Sequence, residues 1–583
     1  MDAPLALSPP AAQAFYLSPP DSGLPFDALL EATKAREGVR SRLPPLPPPR
    51  TPGMRLPTPK AFMPVMPDEL GKWSAFFSDL RARHSFAEVC RATRGRHELT
   101  PLPPGTHPAA ELHNKLRTGG APVLFAPDTP AQDLEAALAY SCHRSATLAA
   151  AYVREELSEQ VSFGHIFLLP WSQARDLPNL RLSPVGSIPQ AGRRDRLIYD
   201  YTWSGTNRAV SKQAPAEAMQ FGGALHRLLH AIVDADPLHG PVHMAKVDLS
   251  DAYMRIRLNL ADLPKLAFVV PPHPSDPEPI IGFHLSLPMG FIESAPFFCA
   301  STETAADLIN HSWGLADLAP AHPLEQFTSP PHPTPHRPTD GATRAALAYI
   351  DVFVDDFLAL RQGTPAQLRQ ARRHVFHSLD LLFRPNDAHD RHRKTPNSIK
   401  KLRLGDADWT TQKKLLGWVV DSVRCLISLP PERHHKIRAL LDAIPRSARR
   451  CTLLKWQILC GNLRSIAPML PGGLGLFSCL YVPLKGSRNR IALTSAIHDE
   501  LDDWRMLLAS LAARPTHIRE IIPDYPTWTG AHDASGKGMG GVFAGPDGTP
   551  YLWRHKWSAS EAARLVTFSN PRDDLSINDF ELA

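Results

Sequence analysis

The sequence predicts an α+β chain, and three observations carry that expectation. Segments with the 3.6-residue periodicity of amphipathic helices flank a central block. The block is a series of short runs rich in β-branched and aromatic residues. Proline-rich stretches separate or interrupt these regions, with 60 prolines among 583 residues, well above the usual ~5%.

Residues 1–60 end in "LPPLPPPRTPGMRLPTP" and read as a disordered or extended polyproline tail, with an SH3-type ligand as the alternative. Residues 61–180 form a mainly helical region, on the periodicity of "DELGKWSAFFSDLRARHSFAEVCRA" and "AQDLEAALAYSCHRSATLAAAYVREEL"; no chemistry is visible in it. Residues 181–425 hold the β-rich runs. They are interrupted near 318–342 by "LAPAHPLEQFTSPPHPTPHRPTDGA", expected to be an irregular surface loop inserted into a domain. Its histidines lack regular ligand spacing. Residues 426–520 are helical and basic, and 525–583 are strand-like around the glycine-rich turn of "HDASGKGMGGVFAG".

The formal net charge of +6 is a mild bias compatible with a nucleic-acid partner. Seven scattered cysteines without a CxxC pair argue against a zinc site or a disulfide framework and fit a reducing compartment. No apolar run approaches the ~20 residues that span a bilayer. The N-terminus lacks the basic start and apolar core of a signal peptide. The expectation is a soluble intracellular protein without a membrane partner; no basic import run assigns it to nucleus or cytoplasm.

In "YIDVFVDDFLAL", Tyr349 to Leu360, two adjacent carboxylates, Asp355 and Asp356, sit in an otherwise apolar run. Burying them side by side is costly. The flanking residues read as two strands with the pair at the tight turn of a hairpin. In "HMAKVDLSDAYMRIRL", His243 to Leu258, period-two alternation places Ala245, Val247 and Leu249 on one face and Lys246, Asp248 and Ser250 on the other. Asp248 then ends a half-buried strand, and Asp251 lies in the following turn. Three carboxylates on two adjacent strands suit hard divalent cations such as Mg2+. Two such ions ~3.5–4 Å apart activate an attacking hydroxyl and stabilise a leaving oxygen. Their charge would also make the burial tolerable. The alternative is a structural acidic turn on a surface hairpin.

Taken with their neighbours, these stretches resemble a reverse transcriptase, closest in character to the polymerase of LTR-type or DIRS-type retrotransposons. "VDLSDAYMRI" is similar to the family's first palm motif and "FVDDF" to its aromatic-x-Asp-Asp signature. "LSLPMGFIESAPFF" is similar to its Leu-Pro-x-Gly motif, "RRDRLIYDYTWSGTNRAV" to its fingers motif, and "KLLGWVVD" with the nearby "ISLPPER" to its primer grip. The motifs come in family order over residues 181–430. The resemblance implies a right-hand polymerase with fingers and palm in 181–425 and a helical thumb or connection in 426–520.

The resemblance also implies roles. Asp248, Asp355 and Asp356 match the catalytic triad; Asp248 and Asp355 would ligate two Mg2+ ions, with Mn2+ as substitute, and Asp356 would support them. Arg196, with Arg193 or Arg194 beside it, matches the fingers arginines that hold the dNTP triphosphate. Asp251, Tyr253, Met289 and Gly290 complete the nucleotide site. Tyr253 would be the steric gate against a 2′-hydroxyl, and Met289 stands where retroviral enzymes often have glutamine. Ser294 and Pro296 would start the next helix as cap and first-turn proline. Lys400 or Lys401 would protonate departing pyrophosphate, a solvated basic loop being the alternative. Lys436, Arg438, Arg446, Arg449, Arg450 and Lys455 would hold duplex backbone.

"GAHDASGKGMGGVF" and "SINDFELA" resemble a partial ribonuclease H domain, with Asp533 and Glu581 as two of its acids. An incomplete set implies no ribonuclease H activity. The functional expectation is an RNA-directed DNA polymerase of a retrotransposon, joining dNTPs to a primer 3′-hydroxyl on an RNA or DNA template. The alternative is a catalytically silent remnant that only binds nucleic acid.

Overall fold

A computed structural model describes residues 70–94, 99–190, 194–215, 218–331, 344–384, 395–471, 473–485, 489–522, 528–545 and 547–564. Helix and sheet are mixed throughout. The chain divides into two compact units, Met1–Arg424 and Cys425–Ala583. The expected proline-rich tail, 1–60, lies outside the described residues.

In the first unit, helix α1 (Leu70–Arg81) inserts Trp73 and Phe77 into the core. Strands β1 (Ile166–Pro170), β2 (Leu182–Ser183), β6 (Ala267–Val269) and β7 (Ile280–His284) form a sheet in the order β1-β7-β6-β2. Phe77 meets Phe167 of β1 edge-on at 4.8 Å, and Phe167 lies 5.8 Å from Phe283 of β7. Each such buried ring contributes roughly 1.5–3 kcal/mol. The helical segment before residue 181 and the β-rich segment after it therefore share one core.

Strands β3 (Val185–Ile188) and β4 (Arg196–Tyr199) form an antiparallel hairpin. A three-stranded antiparallel sheet holds β5 (His243–Asp248), β8 (Ala348–Phe353) and β9 (Asp356–Arg361), in the order β5-β9-β8. Helices α2 (Ala224–Asp234) and α3 (Ser294–His311) pack on β8, and α4 (Pro365–Leu382) packs on α3. Thr364 and Gln367 close a capping box at the start of α4, with Pro365 in its first turn. Strands β10 (Gln412–Leu415) and β11 (Trp418–Asp421) form a final hairpin.

The proline- and histidine-rich insertion departs from expectation where it is described. Pro323–Phe327 is a 3-10 turn rather than irregular loop. Proline at its start loses no hydrogen bond there, the His322 ring accepts the Leu324 N–H, and Leu324 is buried. Arg373 of α4 fixes it through Glu325 at 2.6 Å. Residues 332–343 lie outside the described set.

The second unit holds helices Pro431–Asp442, Leu453–Arg464 and Ser495–Ala513, with Trp456 and Trp504 fully buried. Its last element is an antiparallel meander of Thr529–Ser535, Gly538–Ala544 and Pro550–Lys556. All seven cysteines are free thiols. Among the described residues, no helix is long and apolar enough to cross a membrane.

Candidate active site

The three aspartates are brought together by strand register. β5 pairs with β9 so that Asp248 stands opposite Asp356, and β8 pairs with β9 so that Phe353 stands opposite Asp356. Val354 and Asp355 are left as the hairpin turn. The backbone N–H of Leu249 donates to the Asp355 carbonyl at 3.0 Å, tying the turn to the end of β5. Val354 takes a φ of 59°, in the left-handed region that a β-branched residue rarely occupies. Such strain costs of order 1–3 kcal/mol and persists where surrounding structure imposes it.

Crowding raises the proton affinity of this cluster. Burial first, then a hydrogen bond to Asp356 and its like charge, pushes the Asp248 carboxyl up to about 7. Asp355 is also raised, by burial and by the charge of Asp356, against the pull of Lys246 and Lys401. Lys246 Nζ lies 3.0 Å from Asp356 Oδ1 and 3.7 Å from Asp406 Oδ2. Burial opposes the charge on Lys246, but Asp356, Asp406 and Asp248 together raise its ammonium above the usual lysine value. Among the described residues, no group of three or more His, Cys, Asp or Glu side chains is arranged to hold a metal ion.

Tyr253 is half-buried and packs edge-on against Phe298 of α3 at 5.4 Å. Its phenol is raised by burial, then by Cys299 and Asp355, while Arg196 pulls it down. One hydroxyl thus feels a cation from β4 and an anion from the β8–β9 turn. Arg196 is exposed at the start of β4. Arg193 lies outside the described residues. Arg194 is engaged elsewhere, on Glu159 at 2.9 Å and Glu156 at 3.4 Å. Asp251 sits in the left-handed region at φ 56°, just before the 3-10 turn Ala252–Arg255 that carries Tyr253.

Gly290 has a φ of 104°, and a Cβ there would lie 2.4 Å from the Tyr199 carbonyl oxygen. Glycine is required at this position by the close approach of β4's own backbone. Met289 beside it is 38% exposed. Ser294 does not cap α3: it is the first helical residue, Glu293 occupies the cap position, and the Ser294 hydroxyl donates to the Pro288 carbonyl at 2.7 Å. Pro296 is correspondingly the third helical residue. The buried Glu293 carboxylate accepts the backbone N–H groups of Gln213 and Ala214 at 2.8 and 3.1 Å.

Helix α5 (Ile399–Arg403) distinguishes the two candidate lysines. Lys400 is exposed, whereas Lys401 is half-buried and its charge reaches both Asp248 and Asp355. The backbone explains why: Ser398 N–H donates to the Asp248 carbonyl at 2.8 Å and Ser250 N–H to that of Pro396 at 2.8 Å, which folds this segment over the end of β5.

Sequence reasoning did not find three supporting residues. Lys246 was readable as sharing the polar face of Asp248, but not its partner. Asn207 brackets the Gly290 loop, donating to the Gly290 carbonyl at 3.0 Å and accepting from Ile292 N–H at 3.0 Å. Neither it nor Glu293 carries a sequence signal.

In the second unit, Asp533 is exposed on the strand Thr529–Ser535, opposite Gly540. Glu581 lies outside the described residues. Lys436, Arg438, Arg446, Arg449, Arg450 and Lys455 are all exposed. Arg446 is held by Asp499 at 2.6 Å and by Asp502, and Arg438 lies 3.7 Å from Asp442.

No family model matches the chain, and no curated protein matches it. Among solved structures it is similar to a foamy viral protease-reverse transcriptase in complex with double-stranded DNA, at 15% identity and a TM-score of 0.45, covering 90% of this chain and 72% of that one. A second, of the foamy viral protease-reverse transcriptase in complex with an RNA/DNA hybrid, aligns at 16% identity and a TM-score of 0.40, covering 78% of this chain and 50% of that one. The likeness is remote.

Proposed function

We propose that the chain is an RNA-directed DNA polymerase of an LTR-type or DIRS-type retrotransposon. One observation carries the reading: Asp248 stands opposite Asp356, next to the turn residue Asp355, with Asp248 raised to about 7 by burial and like charge. Perturbed carboxylates crowded without an evident structural gain mark a functional site.

The donor set fits a hard divalent cation. Asp248 and Asp355 are partly buried oxygen donors that feel Lys401 only at a distance and form no direct ion pair among the described residues, and Mg2+ takes such ligands. Both would hold it, with Mn2+ as substitute, while Asp356 is engaged by Lys246. When bound, the cations supply Lewis-acid activation of the primer hydroxyl and charge neutralisation at the phosphates.

The chain's own groups do the rest. Arg196 would bind the triphosphate of the incoming dNTP through its planar fork of donors. Tyr253 would close the space beside the sugar 2′ position, its ring fixed by Phe298. Gly290 and Met289 would shape the floor beneath the base pair. Lys401 would hold a proton near the leaving pyrophosphate. The primer 3′-oxygen bonds to the α-phosphorus, the bond to the β,γ-pyrophosphate breaks, and the hydroxyl proton leaves to solvent. Exposed thumb cations would contact the template–primer backbone.

A second reading, nucleic-acid binding without catalysis, is favoured by one observation: no ready three-ligand metal group exists among the described residues. Primer extension on poly-rA with oligo-dT and dTTP separates the two. Magnesium-dependent extension supports the polymerase; binding of the same duplex without extension supports the silent reading.

A further inference from the structure

We propose that Lys246 is a positioning residue that withdraws Asp356 from the cation-binding set and leaves Asp248 and Asp355 as the ligands. This rests on the polymerase reading.

The geometry comes from the strand register. Lys246 stands opposite Leu358 and Asp248 opposite Asp356, so Lys246 and Asp356 are diagonal neighbours on one face of the β5–β9 pair. The Lys246 ammonium reaches Asp356 Oδ1 at 3.0 Å, and the two side chains are only 15% and 21% exposed. At such exposure solvent screens the pair little. The Lys246 backbone is pinned as well: its N–H donates to the Asp406 carbonyl at 2.8 Å. Asp406 also offers the ammonium a carboxylate, but at 3.7 Å, so Asp356 holds the closer contact.

The consequence is a physical basis, in one built-in cation, for the unequal roles that the family resemblance implies for the three carboxylates. Asp356 has an oxygen engaged by a cation built into the chain. Asp248 and Asp355 have no counter-ion within ion-pair distance among the described residues. Lys246 also cancels one of the three negative charges, which weakens the attraction for a divalent ion and fixes which oxygens meet it.

The test uses the full chain without substrate, with free Mn2+ followed by electron paramagnetic resonance, together with the Mg2+ dependence of primer extension. Lys246→Met is expected to tighten Mn2+ binding about 5-fold, by removing a neighbouring cation, and to slow extension about 10-fold or more as Asp356 enters the site. Lys246→Arg is expected to stay within about 2-fold of wild type in Mn2+ affinity, since the charge remains. If Lys246→Met fails to fold, Asp356→Asn alone decides: it should retain Mn2+ binding within about 3-fold, whereas a loss of about 10-fold or more makes Asp356 a ligand and overturns the proposal. Lys246→Met with wild-type Mn2+ affinity and Mg2+ dependence overturns it too, while a wild type that still extends primers leaves the polymerase reading intact. A wild type that neither binds Mn2+ nor extends overturns both.

Discussion

Asp248 and Asp356 face each other directly across the antiparallel β5–β9 pair, with Asp355 in the adjoining turn. Like charges directly opposite in a sheet destabilise it. The fold tolerates this by raising the Asp248 carboxyl to about 7 and by engaging Asp356 with Lys246. A folded-state value above the ordinary carboxylate value of 3.8 means that stability is lost as pH rises from that value through about 7. Asp248→Asn is therefore expected to raise stability at pH 8 by about 1–2 kcal/mol, after discounting for solvent screening, and to leave it unchanged at pH 3. Chemical denaturation at the two pH values measures this. Equal stability of wild type and variant at pH 8 removes the electrostatic account of the cluster.

Tyr253→Val removes the ring held by Phe298 beside the site. Under the gate reading, it should raise ribonucleotide incorporation relative to deoxynucleotide by about 10-fold or more, while Tyr253→Phe keeps wild-type selectivity. Steady-state extension with rUTP and dTTP reads the ratio. Unchanged discrimination in the valine variant moves the gate to another residue.

Gly290→Ala meets two penalties at once: a φ of 104° and a Cβ 2.4 Å from the Tyr199 carbonyl oxygen. The expected cost is about 2–4 kcal/mol, from strain and backbone displacement. A thermal melt checks it. A variant as stable as wild type shows that the loop between Pro288 and Ile292 is not held against β4.

Glu303 lies on α3, near Asp351, Asp307 and Arg227. Burial first, then the charges of Asp351 and Asp307, pushes its carboxyl up to about 8, against Arg227 and a hydrogen bond with the Gln220 backbone. Arg227 is already committed to Asp351 through two contacts of 2.7 and 2.8 Å. The folded state therefore keeps the proton while the unfolded chain loses it above 4.5, so stability falls as pH rises from 4.5 to about 8. Glu303→Gln should flatten this slope and gain about 2 kcal/mol at pH 8. Denaturation across pH 5–9 measures the slope; a variant with the wild-type slope places the loss elsewhere.

The placement of the aspartates was legible because strand periodicity is local. The alternation around Asp248 fixes its face, and the apolar flanks of Asp355–Asp356 mark a hairpin, although only Asp355 lies in its turn: Asp356 opens β9, paired with Asp248 and Phe353. What was not legible depends on register and tertiary contact. Lys246 and Asp356 become neighbours only when β5 lies beside β9, a pairing of segments distant in sequence. Arg194 reads like a nucleotide ligand in a basic run, yet Glu159 and Glu156 on a separate helix claim it. Ser294 reads like a helix cap by type, but Glu293 takes that position, and its carboxylate accepts from the backbone of Gln213 and Ala214 instead of capping the helix. Proline density suggested an irregular insertion, but Leu324 is apolar enough to seat a 3-10 turn. Roles carried by resemblance, such as those of Arg196 and Tyr253, follow from motif order rather than from any property of the isolated residues.

The most direct test of the central claim is magnesium-dependent primer extension by wild type and Asp355→Asn, with binding of the same template–primer measured in parallel. The carboxylate account expects extension by wild type, a loss of about 1,000-fold or more in the variant, and duplex affinity within about 3-fold between the two. Extension by Asp355→Asn at the wild-type rate contradicts it.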